Sequence, residues 1–127
     1  MAKSNYLEKK ILDHVLGVEA FPQPAGVYVA LFTTATGDDG SGTEVTGGGY
    51  ARQPSTWAAA TSGAGTTSND ADIVFPNMPE VTVTHIALYD AASGGNMLYH
   101  GPLSTPQVVA SGNTFVFSAG DIDITES

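Results

Sequence analysis

The chain has 127 residues, no cysteine, and thirteen acidic residues against four basic ones, for a formal net charge of −9. One domain of that length buries roughly two-thirds of its unfolded surface and can build a core without disulfides; thiol catalysis and thiolate metal sites are excluded. Lys3, Lys9, Lys10 and Arg52 cannot form the basic track that binds nucleic acid by displacing counterions, and they equally disfavour an anionic membrane surface.

Only 13% of the residues are charged, so the surface falls to Ser, Thr, Asn and Gly. Such a surface suits extracellular and virion proteins better than cytosolic enzymes. The N-terminal "MAKSNYLEKK" contains no apolar h-region. The apolar run Gly26–Phe32 is far shorter than the ~20 residues that span a bilayer. The expectation is a soluble chain used without Sec-type export.

The first element is expected as a helix over about 4–17. Leu7, Ile11 and Val15, with Leu12 and Leu16, recur at helical spacing on one stripe. Ser4 or Asn5 can cap its start, Glu8 follows Asn5 by three residues, and Gly17 supplies the stop. A helix this short is unstable alone, so its stripe must dock on something. Docking on the chain's own body is favoured over docking on a neighbour.

Strands follow. Gly26–Thr33 is β-branched and aromatic behind Pro22 and Pro24, and its two apolar faces suggest a central strand. A strand is also expected to start near Tyr50. Asp72–Asn77 is a short strand. Val81–Ala91 begins as alternation, with Val81, Val83 and His85 on one face and Thr82, Thr84 and Ile86 on the other. Asn96–Leu103 returns after the turn Ala92–Gly95 as a hairpin. Asn113–Gly120 and Asp121–Ser127 close the chain, the latter with Ile122 and Ile124 pointing one way. This pattern predicts a mainly β domain, a β-sandwich or jelly-roll-like fold over about 26–127 with one short N-terminal amphipathic helix. Residues 34–49 and 61–70, poor in apolar side chains, are expected as long loops.

Little in the chain resembles chemistry. The glycines of "GTEVTGGGYARQP" lack the Lys-Ser/Thr that a phosphate loop requires, and Pro54 bars a following helix. A mobile glycine-rich tip leading into a strand is the simpler reading. The terminal "DIDIT" matches a phosphatase nucleophile motif, but only Glu126 and Ser127 follow it, so its carboxylates are expected on a solvent face. Calcium at Asp121, Asp123 or the Asp38-Asp39-Gly40 turn lacks EF-hand spacing. Zinc held by His85, His100 and Asp90 is weaker than a purely structural reading of those histidines. No catalytic, cofactor or metal residues are therefore assigned.

The segments "YLEKKILDHVLG", "VYVALFT", "GTEVTGGGYARQ", "VTHIALYDAASGGNMLYHGPL" and the terminal F-x-F-x-x-G-x-I-x-I together resemble a group of small structural proteins of tailed phages and prophages. These include tail-fibre-like and capsid decoration (cement) proteins, and the resemblance runs from about Tyr6 to Thr125. It implies a virion component without enzymatic activity. The absence of heptads and repeats is unlike a fibre shaft. The expectation is a cement protein on the outer head surface, with the major capsid protein as its partner; the alternative is a tail-fibre or tail-tip module bound to tail proteins. Self-association, as a trimer, is expected to multiply such contacts. Tyr50 and Arg52 are candidate interface anchors, since Tyr and Arg are enriched at hot spots. An internal ion pair for Arg52 is an equal alternative. Tyr6, Leu7 and Ile11 complete the candidate interface, and Trp57 is assigned to the core.

Overall fold

The computed structural model describes residues 1–63 and 65–126. Ala64, inside the expected 61–70 loop, and Ser127, the expected last residue of the sandwich, lie outside the described residues. The described chain is mainly β, with antiparallel strands and one helix, α1 (Asn5–Val15). Ser4 rather than Asn5 is the cap: its hydroxyl accepts from Leu7 N at 3.1 Å and donates to Met97 O. Gly17, at φ 79°, takes the left-handed conformation just beyond the helix end.

The principal sheet has the order β1-β7-β6-β2-β3. Its strands are β1 (Ala2–Lys3), β2 (Val27–Phe32), β3 (Gln53–Ser55), β6 (Val81–Tyr89) and β7 (Met97–Val109). β2 is central, pairing with β3 on one side and β6 on the other, and Val29 to Phe32 are buried, as its two apolar faces predict. Pro54 sits in β3, where a residue lacking an N–H costs least because the strand is an edge.

Two ribbons complete the architecture: β4 (Thr66–Ser68) with β9 (Asp123–Thr125), and β5 (Ile73–Phe75) with β8 (Phe115–Phe117). β4 corrects the expected 61–70 loop. Thr66 and Ser68 carry no apolar pattern, and the strand exists because Thr66–Ser68 can ladder with Thr125–Asp123. Asn69, 2% exposed, secures the junction of the two ribbons. Its amide donates to Ala71 O and Ser118 O, and its carbonyl accepts from Ile122 N.

The main core lies between one face of the principal sheet and the ribbons. Val29, Leu31, Val83, Ile86 and Leu88 meet Ile73, Phe75, Phe117, Ile122 and Ile124 there. Phe75 is its aromatic hub, stacked on Tyr50 at 6.1 Å and edge-on to Phe115 and Phe117 at 6.3 and 6.4 Å. Trp57 packs half-buried against this core. The expected alternation in β6 is corrected by a bulge between Val83 and His85. The surplus residues lie on β7, which advances from Gln107 to Pro102 while β6 advances from Val83 to His85; across this break the phase of β6 changes, and Ile86 joins Val83 in the core instead of pointing away from it. β7 also outruns its expected end at Leu103. Its pairing jumps from His85↔Pro102 to Val83↔Gln107, and this irregularity accommodates Pro106.

The opposite face of the sheet carries a second cluster of Ala30, Phe32, Ala87, Tyr89 and Met97. The helix N-terminus and the 34–49 excursion approach it: Asn5 N donates to Asp38 O at 3.0 Å, and Thr36 Oγ1 lies 3.5 Å from Met97 Sδ. That excursion is tied to β2 at its return. Thr33 N bonds Thr43 O, Val45 N bonds Leu31 O, and Val45 is 2% exposed.

Candidate interaction surfaces

The segment around the three glycines is a docked turn, not a free tip. Gly49 N donates to Asn77 O at 2.7 Å. Gly48 adopts φ 53°, and a Cβ there would stand 2.8 Å from Pro79 N and 3.0 Å from Asn77 O. Only glycine allows the chain to lie this close to the Asn77–Pro79 backbone.

Beyond the turn, Tyr50 and Arg52 converge on Glu44. Arg52 grips the carboxylate with two hydrogen bonds, Nε to Oε2 and Nη2 to Oε1, each 3.0 Å. Its Nη1 donates to Ala91 O at 3.1 Å and Gly94 O at 2.8 Å, and its guanidinium carbon lies 3.7 Å from the centre of the Tyr89 ring. The side chain is only 10% exposed, so of the two readings of Arg52 the structure contains the internal ion pair. Burial works against the charged guanidinium, but hydrogen bonding and the charge of Glu44 outweigh it and raise its pKa. Tyr50 Oη donates to Glu44 Oε2 at 2.7 Å and accepts from Leu31 N at 3.0 Å. Burial first, then the bond to Glu44, lifts its hydroxyl far above the ordinary tyrosine range.

The two most distinctive segments of the sequence therefore form one site. "GGGYAR" supplies the arginine, and the turn Asp90–Asn96 supplies the carbonyls it reads. Asp90 holds that turn by accepting from Asn96 N at 2.7 Å and from Asn96 Nδ2 at 3.1 Å. Gly94 and Gly95 provide its positive φ angles. Sequence spacing offered no means of choosing Glu44 from thirteen acids.

Tyr6, Leu7 and Ile11 lie some distance along the chain from this latch, on the first part of α1. Leu7 is buried at 5% exposure, and Tyr6 meets Phe21 edge-on at 6.3 Å. Ile11 is half-buried. Docking of the helix on its own body holds as far as Ile11 and fails beyond it. Leu12, Val15, Leu16 and Val18 are 59, 71, 72 and 74% exposed. The far half of the stripe is therefore left uncovered by the chain's own body.

The histidines are separately engaged. His100 Nε2 contacts Asp38 Oδ1 at 2.6 Å, His85 Nδ1 contacts Thr84 Oγ1 at 2.7 Å, and His14 Nδ1 accepts from Phe21 N at 3.0 Å. His85 and His100 sit on adjacent strands opposite Pro102 and Ala87, and Asp90 is committed to its own turn. No group of three or more His, Asp or Glu suited to a metal is gathered among the described residues. An unforeseen tie closes the chain: Lys3 Nζ bonds Glu126 Oε2 at 2.8 Å, and Tyr99 Oη donates to Glu126. Burial acts to raise the Glu126 pKa, but Lys3 and Tyr99 together hold it below the usual carboxylate range.

Open clefts lie among the described residues. A polar one of about 720 Å³ is bordered by Ser104, Gln107, Asn113, Asp121 and Asp123. Asp121 accepts from Ser118 N at 2.8 Å as a turn cap. A smaller one of about 290 Å³ runs between Trp57 and Tyr99 over Leu88 and Ile124.

The family model described as podophage GP4 fiber I protein gp80 matches residues 2–125. The chain belongs to this family. No curated protein matches it. The match spans the same stretch as the resemblance seen in the sequence and makes the chain a phage virion structural protein of tail-fibre-like type. Within that class, the fibre description favours the tail alternative over the head-decoration reading.

Proposed function

We propose that the chain is a non-catalytic module of a podophage fibre assembly, working by protein–protein contact at the tail. The observation that carries this reading is the fibre-family match over nearly the whole chain. The geometry around Arg52 supports it. The side chains best suited to chemistry, Glu44, Arg52 and Tyr50, are spent on bracing two loops against each other. A bidentate arginine pair with additional carbonyl acceptors gives rigidity and register, which a contact module needs.

The test is to separate heads from tails in purified virions and to count copies by quantitative mass spectrometry. A fibre module is recovered with the tail fraction in tens of copies or fewer, and its deletion abolishes adsorption while leaving heads intact. Hundreds of copies on the head shell, with heads that rupture on deletion, would establish the decoration reading instead.

A further inference from the structure

The second half of α1 presents an apolar stripe that the chain itself does not cover. Leu12, Val15 and Leu16 fall at i, i+3 and i+4, and Val18 extends the patch beyond the helix end; all four are more than half exposed. The stripe is held in place, not swinging free. Val18 N and Glu19 N bond Asp13 O at 2.8 and 3.1 Å, Phe21 N bonds His14, and Phe21 packs on Tyr6.

The charge distribution bears on what covers it. In residues 1–19, Lys3, Lys9 and Lys10 balance Glu8, Asp13 and Glu19. Lys9–Asp13 and Lys10–Glu19 are ion pairs at 2.5 and 3.0 Å within the segment. From residue 20 onward Arg52 stands alone against the other ten acids, so that part of the chain carries the whole charge of −9. Bodies so charged repel one another, and the neutral helix is the place where two copies can meet at least electrostatic cost.

We infer that the Leu12–Val15–Leu16–Val18 stripe is a self-association surface that packs against the same stripe of a second copy. Such a self-complementary contact closes on itself, as most homo-oligomers do. It brings neutral segments together and leaves the acidic bodies outside. The inference is independent of where the chain sits in the virion.

Sedimentation equilibrium of the full chain, from low micromolar to a few hundred micromolar, tests it. The expected mass is twice 13.0 kDa, with association unweakened by added salt, because screening relieves repulsion between the bodies. Leu12→Gln with Leu16→Gln keeps the charge and helix propensity. It should weaken association at least tenfold while the far-ultraviolet spectrum and thermal midpoint stay unchanged. Val74→Gln with Val116→Gln, on the distant β5–β8 ribbon, should leave the mass unchanged. A wild-type mass of one chain throughout, or an unaltered mass for the Leu12/Leu16 variant, overturns the inference.

Discussion

Replacing Arg52 with alanine removes the fork on Glu44, the donors to Ala91 O and Gly94 O, and the cation over Tyr89. Truncating one member of a fully buried ion pair costs about 3–5 kcal/mol, because its partner is left charged and unmatched. Glu44 keeps 26% side-chain exposure, so water takes up part of its solvation, and the loss falls to about 2–3 kcal/mol. The lost cation–π contact adds roughly 0.5–1 kcal/mol. For a chain of this size each kcal/mol shifts the thermal midpoint by about 4 °C, so R52A should melt about 10–16 °C below wild type. Thermal and urea unfolding at pH 7 measure this, and a double-mutant cycle with Glu44→Gln should return a coupling of at least about 1 kcal/mol. Arg52→Lys should recover less than half, since an ammonium cannot fork onto a carboxylate and reach two carbonyls at once. A loss under about 1 kcal/mol, or losses that add without coupling, would refute the assignment of Arg52 as the brace between the two loops.

Tyr50→Phe strips the acceptor from Leu31 N, in a fully buried residue, and the donor from Glu44; urea unfolding should show a loss of about 1–3 kcal/mol. Gly48→Ala forces a Cβ into the Asn77–Pro79 backbone at positive φ and should destabilise by more than about 1 kcal/mol, whereas Gly112→Ala, where nothing lies within 4 Å, should cost only its φ strain. Stability should also fall at alkaline pH. Burial and donation to Glu44 and Glu126 raise Tyr50 and Tyr99 far above their ordinary 10.0. Above pH 10 the unfolded chain loses those protons while the folded chain keeps them, so the unfolded state binds fewer protons and is favoured. Tyr50 contributes up to about 1.4 kcal/mol per pH unit, and the more exposed Tyr99 contributes less because solvent screens it. A flat stability profile from pH 9 to 11 would contradict this.

Elements with strong local signals were legible from the amino acids alone. α1 follows from its apolar period and Ser4, β2 from a β-branched run behind two prolines, and the ribbon strands β5, β8 and β9 from short alternations between turn residues. The sequence also marked "GGGYAR" and the Asp90–Asn96 turn as unusual, and ruled out a phosphate cradle through the missing lysine. The rest follows from packing, because it depends on partners distant in the chain. β4 is a strand only because β9 runs beside it, and the break in the β6–β7 register turns Ile86 inward only because the sheet closes on the ribbons. Arg52 finds Glu44 and the two carbonyls only when three separate loops converge. The same convergence leaves half of the helical stripe uncovered: periodicity shows that an apolar face exists, and only packing shows how much of it the chain buries.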